Sequence, residues 1–190
     1  AFLEQEKFAL SPRANISYLV APEMTLRLGG GRYYQAPQFI WMIGDPSNPS
    51  NLKPLRADQA VLGWEWIATP DIKIQVETYY KSYDVYPVRT FRPQAVLAPA
   101  GFDDIYTDIP FGLEPLTNTG TGTAYGIEFF IQKKLSTAIP IYGLASISIN
   151  RTQFVAADGV ERPGSFDTPI IATIAAGWRP SPEWEISSKL

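Results

Sequence analysis

The chain has 190 residues, 45% of them hydrophobic and 18% charged, a balance that supports one ordered domain and excludes the disordered class. A net charge of −3 with no stripe of Lys and Arg excludes a nucleic-acid partner. With no His and no Cys, the chain lacks thiolate sites, disulfides and the commonest general base and metal ligand, and no pair of carboxylates is set apart by spacing. No catalytic residue, metal ligand or cofactor is therefore assigned, and the chain is not read as an enzyme.

In chain order, alternation predicts a hairpin of strands 14–20 and 24–34 joined by Ala21-Pro22-Glu23. Met24, Leu26 and Leu28 alternate with Thr25 and Arg27, and Gly29-Gly30-Gly31 is expected to bend or bulge the second strand. Residues 36–57 read as a long loop around the apolar patch Phe39-Ile40-Trp41-Met42-Ile43. Strand 58–68 sets Leu62, Trp64 and Trp66 against Gln59, Gly63 and Glu65, and Thr69-Pro70-Asp71 turns it into strand 71–81. There Ile72, Ile74 and Val76 take one side while Lys73, Gln75 and Glu77 take the other, because successive side chains of a strand point to opposite faces.

Residues 86–122 read as a second long loop. Strand 123–133 alternates Tyr125, Ile127, Phe129 and Ile131 with Glu128 and Gln132, and a turn at 136–140 leads into strand 141–154. A third loop, 155–168, precedes strand 169–178. After Arg179-Pro180-Ser181-Pro182 a last strand opens with Glu183-Trp184-Glu185-Ile186.

Short turns of roughly 3 to 5 residues thus alternate with loops of roughly 14 to 37, long enough to be unusual in a compact domain. All short connections share one end of the sheet and all long ones the other, the asymmetry of outer-membrane barrels. A face bearing Lys, Gln and Glu in series cannot be buried in a core. The apolar face therefore meets either a second layer of protein or lipid. Trp64, Trp66, Trp178 and Trp184 fall near the short turns, as an interfacial aromatic belt would require, although Trp in a sandwich core would satisfy the same pattern locally.

The inward-facing set of such a barrel would be Arg27, Glu65, Lys73, Gln75, Glu77, Glu128, Gln132, Glu183 and Glu185, with Ile72, Ile74, Val76, Tyr125, Ile127 and Phe129 toward lipid. Candidate ligand contacts lie in the long loops: Phe39, Trp41, Arg89, Arg92, Asp103, Asp104 and Tyr106, since exposed loop residues on a rigid scaffold often carry recognition. Packing of the loops on themselves is the alternative. Asp103, Asp104 and Asp108 do not match a Ca²⁺ loop, so no metal is assigned to them.

Several phrases together resemble a known family: Ser11-Pro12-Arg13, Gly31-Arg32-Tyr33-Tyr34-Gln35-Ala36-Pro37, Leu52-Lys53-Pro54-Leu55-Arg56-Ala57 ahead of Gly63-Trp64-Glu65, Glu77-Thr78-Tyr79-Tyr80-Lys81, and Tyr125-Gly126-Ile127-Glu128. In this order, at strand ends, they look like the C-terminal barrel half of TonB-dependent outer-membrane receptors, from Ser11 to the end of the chain. The resemblance implies an all-β, transmembrane, antiparallel up-and-down barrel segment in the bacterial outer membrane. It further implies that residues 1–190 form a single partial domain of a barrel of about 22 strands. The implied function is uptake of a scarce large nutrient, a metal chelate or an oligosaccharide, with outer-membrane lipid, an N-terminal plug and the TonB complex as partners. The quoted residues are scaffold in that family and carry no catalytic assignment. The 190 residues contain no plug-like segment, and Ser188-Lys189-Leu190 lacks the family's terminal aromatic signature, so an internal piece of a longer receptor is expected. A complete eight-stranded barrel and a soluble carbohydrate-binding sandwich are the alternative readings.

Overall fold

The structure, a computed structural model, describes residues 9–94, 114–164 and 167–190. Its strands are β1 (Arg13–Ala21), β2 (Met24–Gln35), β3 (Leu55–Thr69), β4 (Ile72–Arg89), β5 (Leu116–Lys133), β6 (Ile141–Val155), β7 (Glu161–Pro163), β8 (Ile170–Ser181) and β9 (Trp184–Lys189). They form one antiparallel sheet in the order β1-β2-β3-β4-β5-β6-β8-β9, with β7 paired to the far end of β6. Every strand of the main path thus lies beside its neighbours in sequence, as an up-and-down meander requires.

Register fixes which side chains share a face. Tyr18, Leu26, Trp64, Val76, Phe129, Ile147 and Ala172 form one continuous row across seven strands. The row toward the short turns carries Met24, Trp66, Ile74 and Ile131, and the row on the other side Ile16, Leu28, Leu62 and Ile127. Among the described residues no element covers this face: Ile16, Leu28, Leu62, Ile149 and Ile174 all remain exposed. The soluble-sandwich reading needs a second layer here, and among the described residues there is none. Among the described residues β1 pairs only with β2, and β9 only with β8, so this sheet does not close on itself as a complete eight-stranded barrel would.

Three expectations need correction. Gly29, Gly30 and Gly31 run in regular register with β1 and β3, without a bulge. At Gly31 the reason for glycine is space, because a Cβ there would lie 2.7 Å from the Pro12 carbonyl oxygen. The first long connection, read as a loop over 36–57, contains two short helices, α1 (Phe39–Ile43) and α2 (Asn48–Asn51), and gives its last residues to β3. Finally, β4 and β5 run well past the ends that alternation indicated, shortening the second loop from both sides. Val85 explains why. Its φ of 60° is an uncommon backbone for a β-branched residue, and it sits where the β4–β5 register shifts between Tyr83 and Tyr86. That bulge puts Tyr83 and Tyr86, three apart, on the same face and breaks the period-two pattern.

Candidate functional site

Two groups of residues are candidates, one at mid-height on the polar face and one at the long-loop end. At mid-height, Arg27 forks onto Glu65, Nη2 to Oε1 at 3.0 Å and Nη1 to Oε2 at 3.3 Å, and Gln75 Nε2 donates to Glu65 Oε2 at 2.8 Å. Three of the expected inward residues, from β2, β3 and β4, are thereby brought into one network. Beside it Glu77 pairs directly with Glu128 across β4 and β5. Like charges in that position repel, and no cation is paired with either among the described residues. Gly63, opposite both Arg27 and Glu77 in register, leaves the floor of an open recess of about 250 Å³ between these side chains.

The remaining expected residues are spread along the same face. Lys73 lies opposite Gln132, with its ammonium 5.6 Å from the centroid of the Phe130 ring. Glu185 accepts a hydrogen bond from the Tyr142 hydroxyl at 2.5 Å. Glu183 departs from expectation: it lies between β8 and β9, in the turn, and accepts from Ser181 Oγ at 2.7 Å. That hydroxyl holds its carboxyl below the usual range. Pro182 ends β8 and moves the start of alternation to Trp184.

At the long-loop end, the loop between β2 and β3 folds onto the same face. Trp41, Leu52, Leu55, Tyr86, Leu116 and Phe154 form the buried cluster, with Met42 and Tyr83 against it. Phe154 and Tyr83 flank Gly122 in register, the face being that of Glu128 and Glu77. Their rings stack at 5.8 Å. A Cβ on Gly122 would lie 2.4 Å from the Phe154 ring, so only glycine lets that ring lie flat on the sheet. Beneath the cluster Arg89, 2% exposed, is ion-paired to the fully buried Glu114.

These placements divide the loop candidates. Trp41 and Arg89 are buried, Trp41 in the apolar cluster and Arg89 against Glu114. Phe39 is 68% exposed on α1, with Ile40 and Ile43 also exposed. Arg92 is half-buried. Asp103, Asp104 and Tyr106, and with them Asp108, lie outside the described residues. Among the described residues no group of His, Cys, Asp or Glu could hold a metal ion.

A family model described as "TonB dependent receptor-like, beta-barrel" matches residues 2–185. The chain belongs to the TonB-dependent receptor β-barrel family. No curated protein matches the chain in sequence. Among solved structures it is similar to the FrpB iron transporter from Neisseria meningitidis, with a TM-score of 0.65 and 11% identity over 95% of this chain and 26% of that one. The ferric-catecholate import receptor Fiu from K12 E. coli follows with 0.63, 10%, 93% and 23%. The copper transporter OprC gives 0.62, 13%, 90% and 24%. This chain therefore spans about a quarter of the length of each. At these identities the likeness speaks for the fold, and it agrees with the meander and its uncovered flank.

TonB-dependent receptors are outer-membrane transport proteins of Gram-negative bacteria, not enzymes. In this member, sequence reasoning missed Asn48, Glu114 and the Tyr83–Tyr86–Phe154 aromatic group. Asn48 is followed by Pro49 and closely preceded by Asp45 and Ser47, a helix-start composition that could have marked an ordered loop. Glu114 had no pattern around it.

Proposed function

We propose that this chain is part of the barrel wall of an outer-membrane active-transport receptor. Its apolar face meets lipid, its polar face lines the lumen, and its long-loop end meets the cargo outside the cell. The observation that carries this is the pairing of two opposite faces on one sheet: an apolar band crossing all eight strands of the meander without cover, backed by a network of Arg, Glu and Gln. In water that band would be an exposed patch far larger than monomeric proteins present, and hydrocarbon is the solvent that suits it. Trp178 and Trp184, both exposed on that face beside a short turn, suit the membrane–water interface.

The wall supports uptake of a scarce large nutrient, a metal chelate or an oligosaccharide, because a receptor of about 22 strands encloses a lumen that needs a plug. Glu77 and Glu128 fit that arrangement. Two adjacent carboxylates facing inward, with no cation paired to them here, call for basic groups on whatever fills the barrel, and the plug of the same receptor is that partner. The TonB complex acts through the rest of the receptor.

The test is a pair of charges on the apolar face. Ile74→Arg with Ile127→Arg in the full receptor should abolish assembly into the outer membrane, at about 2–4 kcal/mol per charge. Gln132→Arg, on the opposite face, should assemble as the parent does. Normal insertion of the double variant would reverse the assignment of faces.

A further inference from the structure

The long-loop end contains a fully buried amide side chain that bonds three backbone groups. Asn48, at the start of α2, is fully buried. Its Nδ2 donates to the carbonyl oxygens of Trp41 at 2.8 Å and Glu114 at 3.0 Å, and its Oδ1 accepts from the Leu116 amide at 2.8 Å. Both amide hydrogens and the carbonyl are in use, so the side chain is satisfied in one orientation only. Two of the three bonds cross to the start of β5, far away in sequence. The loop between β2 and β3 is thereby fastened to the connection between β4 and β5.

Other contacts extend the fastening. The Lys53 amide donates to Asn118 Oδ1 at 3.2 Å, and the Phe91 amide to Glu114 Oε2 at 3.2 Å. On the far side the Asp158 amide donates to the Pro93 carbonyl at 2.9 Å, and Arg162, ion-paired to Asp158 at 2.6 Å, reaches the Gln94 carbonyl at 3.4 Å. Described parts of all three long connections therefore touch through directional bonds.

We propose that Asn48 is a positioning residue for the cargo-facing mouth. It locks the β2–β3 loop against the inner wall as a fixed shelf, so that exposed Phe39 and Ile43 on α1 stand at a set distance from the start of β5. This rests on the reading that the long-loop end is the outer mouth. The physical reason is cost: freeing the shelf strands a buried amide and two carbonyls together, so the loop opens as a unit with the start of β5 or not at all.

The experiment uses the full receptor in outer membranes, with spin labels on Phe39→Cys and Thr117→Cys, both positions being exposed. The parent should give a narrow distance distribution, and Asn48→Ala at least a roughly twofold broader one, with the melting of the barrel unchanged. Asn48→Asp retains the acceptor for the Leu116 amide but loses both donors. It should keep that amide slow to exchange while the distance distribution broadens. A narrow distribution in either variant overturns the proposal. Should both variants fail to assemble, hydrogen exchange of the parent decides: Leu52 and Leu116 amides should exchange within about tenfold of each other, and a larger gap overturns it. Labelling of Phe39→Cys by a membrane-impermeant maleimide on intact cells tests the underlying reading separately. Absence of label there means the mouth is misplaced, whatever the distances show.

Discussion

The mid-wall and the long-loop end are built from the same strands, yet they obey different rules. At mid-wall, Leu28 and Leu62 face each other across β2 and β3 and both remain exposed. At the loop end Leu55 and Leu116 are buried, and so are Asn48, Arg89 and Glu114. The first region leaves its apolar side chains to an external solvent; the second makes its own interior. Residues of one type should therefore respond differently to one substitution according to which region holds them.

The largest contrast concerns charge. Glu114→Ala removes the fully buried carboxylate bonded to Arg89 Nε, which should lower the free energy of opening the loop end by about 3–5 kcal/mol. Hydrogen exchange should show amides near Asn48 and Leu116 losing protection while those of β2 and β3 at mid-height keep theirs. If Glu114→Ala has no effect on exchange, the loop end is not a core.

A leucine comparison sharpens the same point. Leu116→Ala should cost about 2–5 kcal/mol, as deletion from a packed interior does. Leu62→Ala should cost less than about 1 kcal/mol in the membrane, because acyl chains are as apolar as the side chain removed and can fill its place. Denaturant titration of the two variants of the full receptor measures both, and equal costs would mean that Leu62 packs against protein.

The two regions also differ in how far they could be read from sequence. At mid-wall every side chain obeys period two, so Leu26, Trp64, Val76 and Phe129 could be placed on one face before any coordinates. The loop end defeats that rule. The bulge at Val85 returns Tyr86 to the face of Tyr83, and Gly120 and Gly122 stand where alternation would need side chains. Trp41 and Arg89 looked like contacts for a ligand because an aromatic and a cation in a loop usually face solvent. Trp41 packs instead against Tyr86, Leu116 and Phe154, and Arg89 pairs with Glu114, partners brought to them across long stretches of chain. No local pattern records such a meeting.

Smaller effects are expected on the polar face. Glu77→Gln and Glu128→Gln should each weaken the hold on the plug proposed above by about 0.2–1 kcal/mol, read as a lower denaturant midpoint for its release, since exposed charges facing a counter-charge across water contribute little. Unchanged midpoints would show that the pair faces only solvent.

The smallest effect belongs to the short-turn rim, where an ion pair has the chemistry of Arg89–Glu114 without its burial. Asp71 accepts from Lys133 Nζ at 2.7 Å and from Thr69 Oγ1 at 2.6 Å, and Lys133 above all holds its carboxyl well below the usual range. A depressed folded-state value means that the contribution is complete above the ordinary carboxylate range, near pH 4, and is lost as pH falls through the lowered value. The melting temperature of Asp71→Asn should accordingly lie slightly below the parent's at neutral pH and meet it in acid. Because the pair is partly open to water, salt should narrow the gap at neutral pH as acid does, whereas the gap produced by Glu114→Ala should hardly respond to salt. A salt-sensitive Glu114→Ala would place both pairs in the same surroundings and remove the distinction between rim and core.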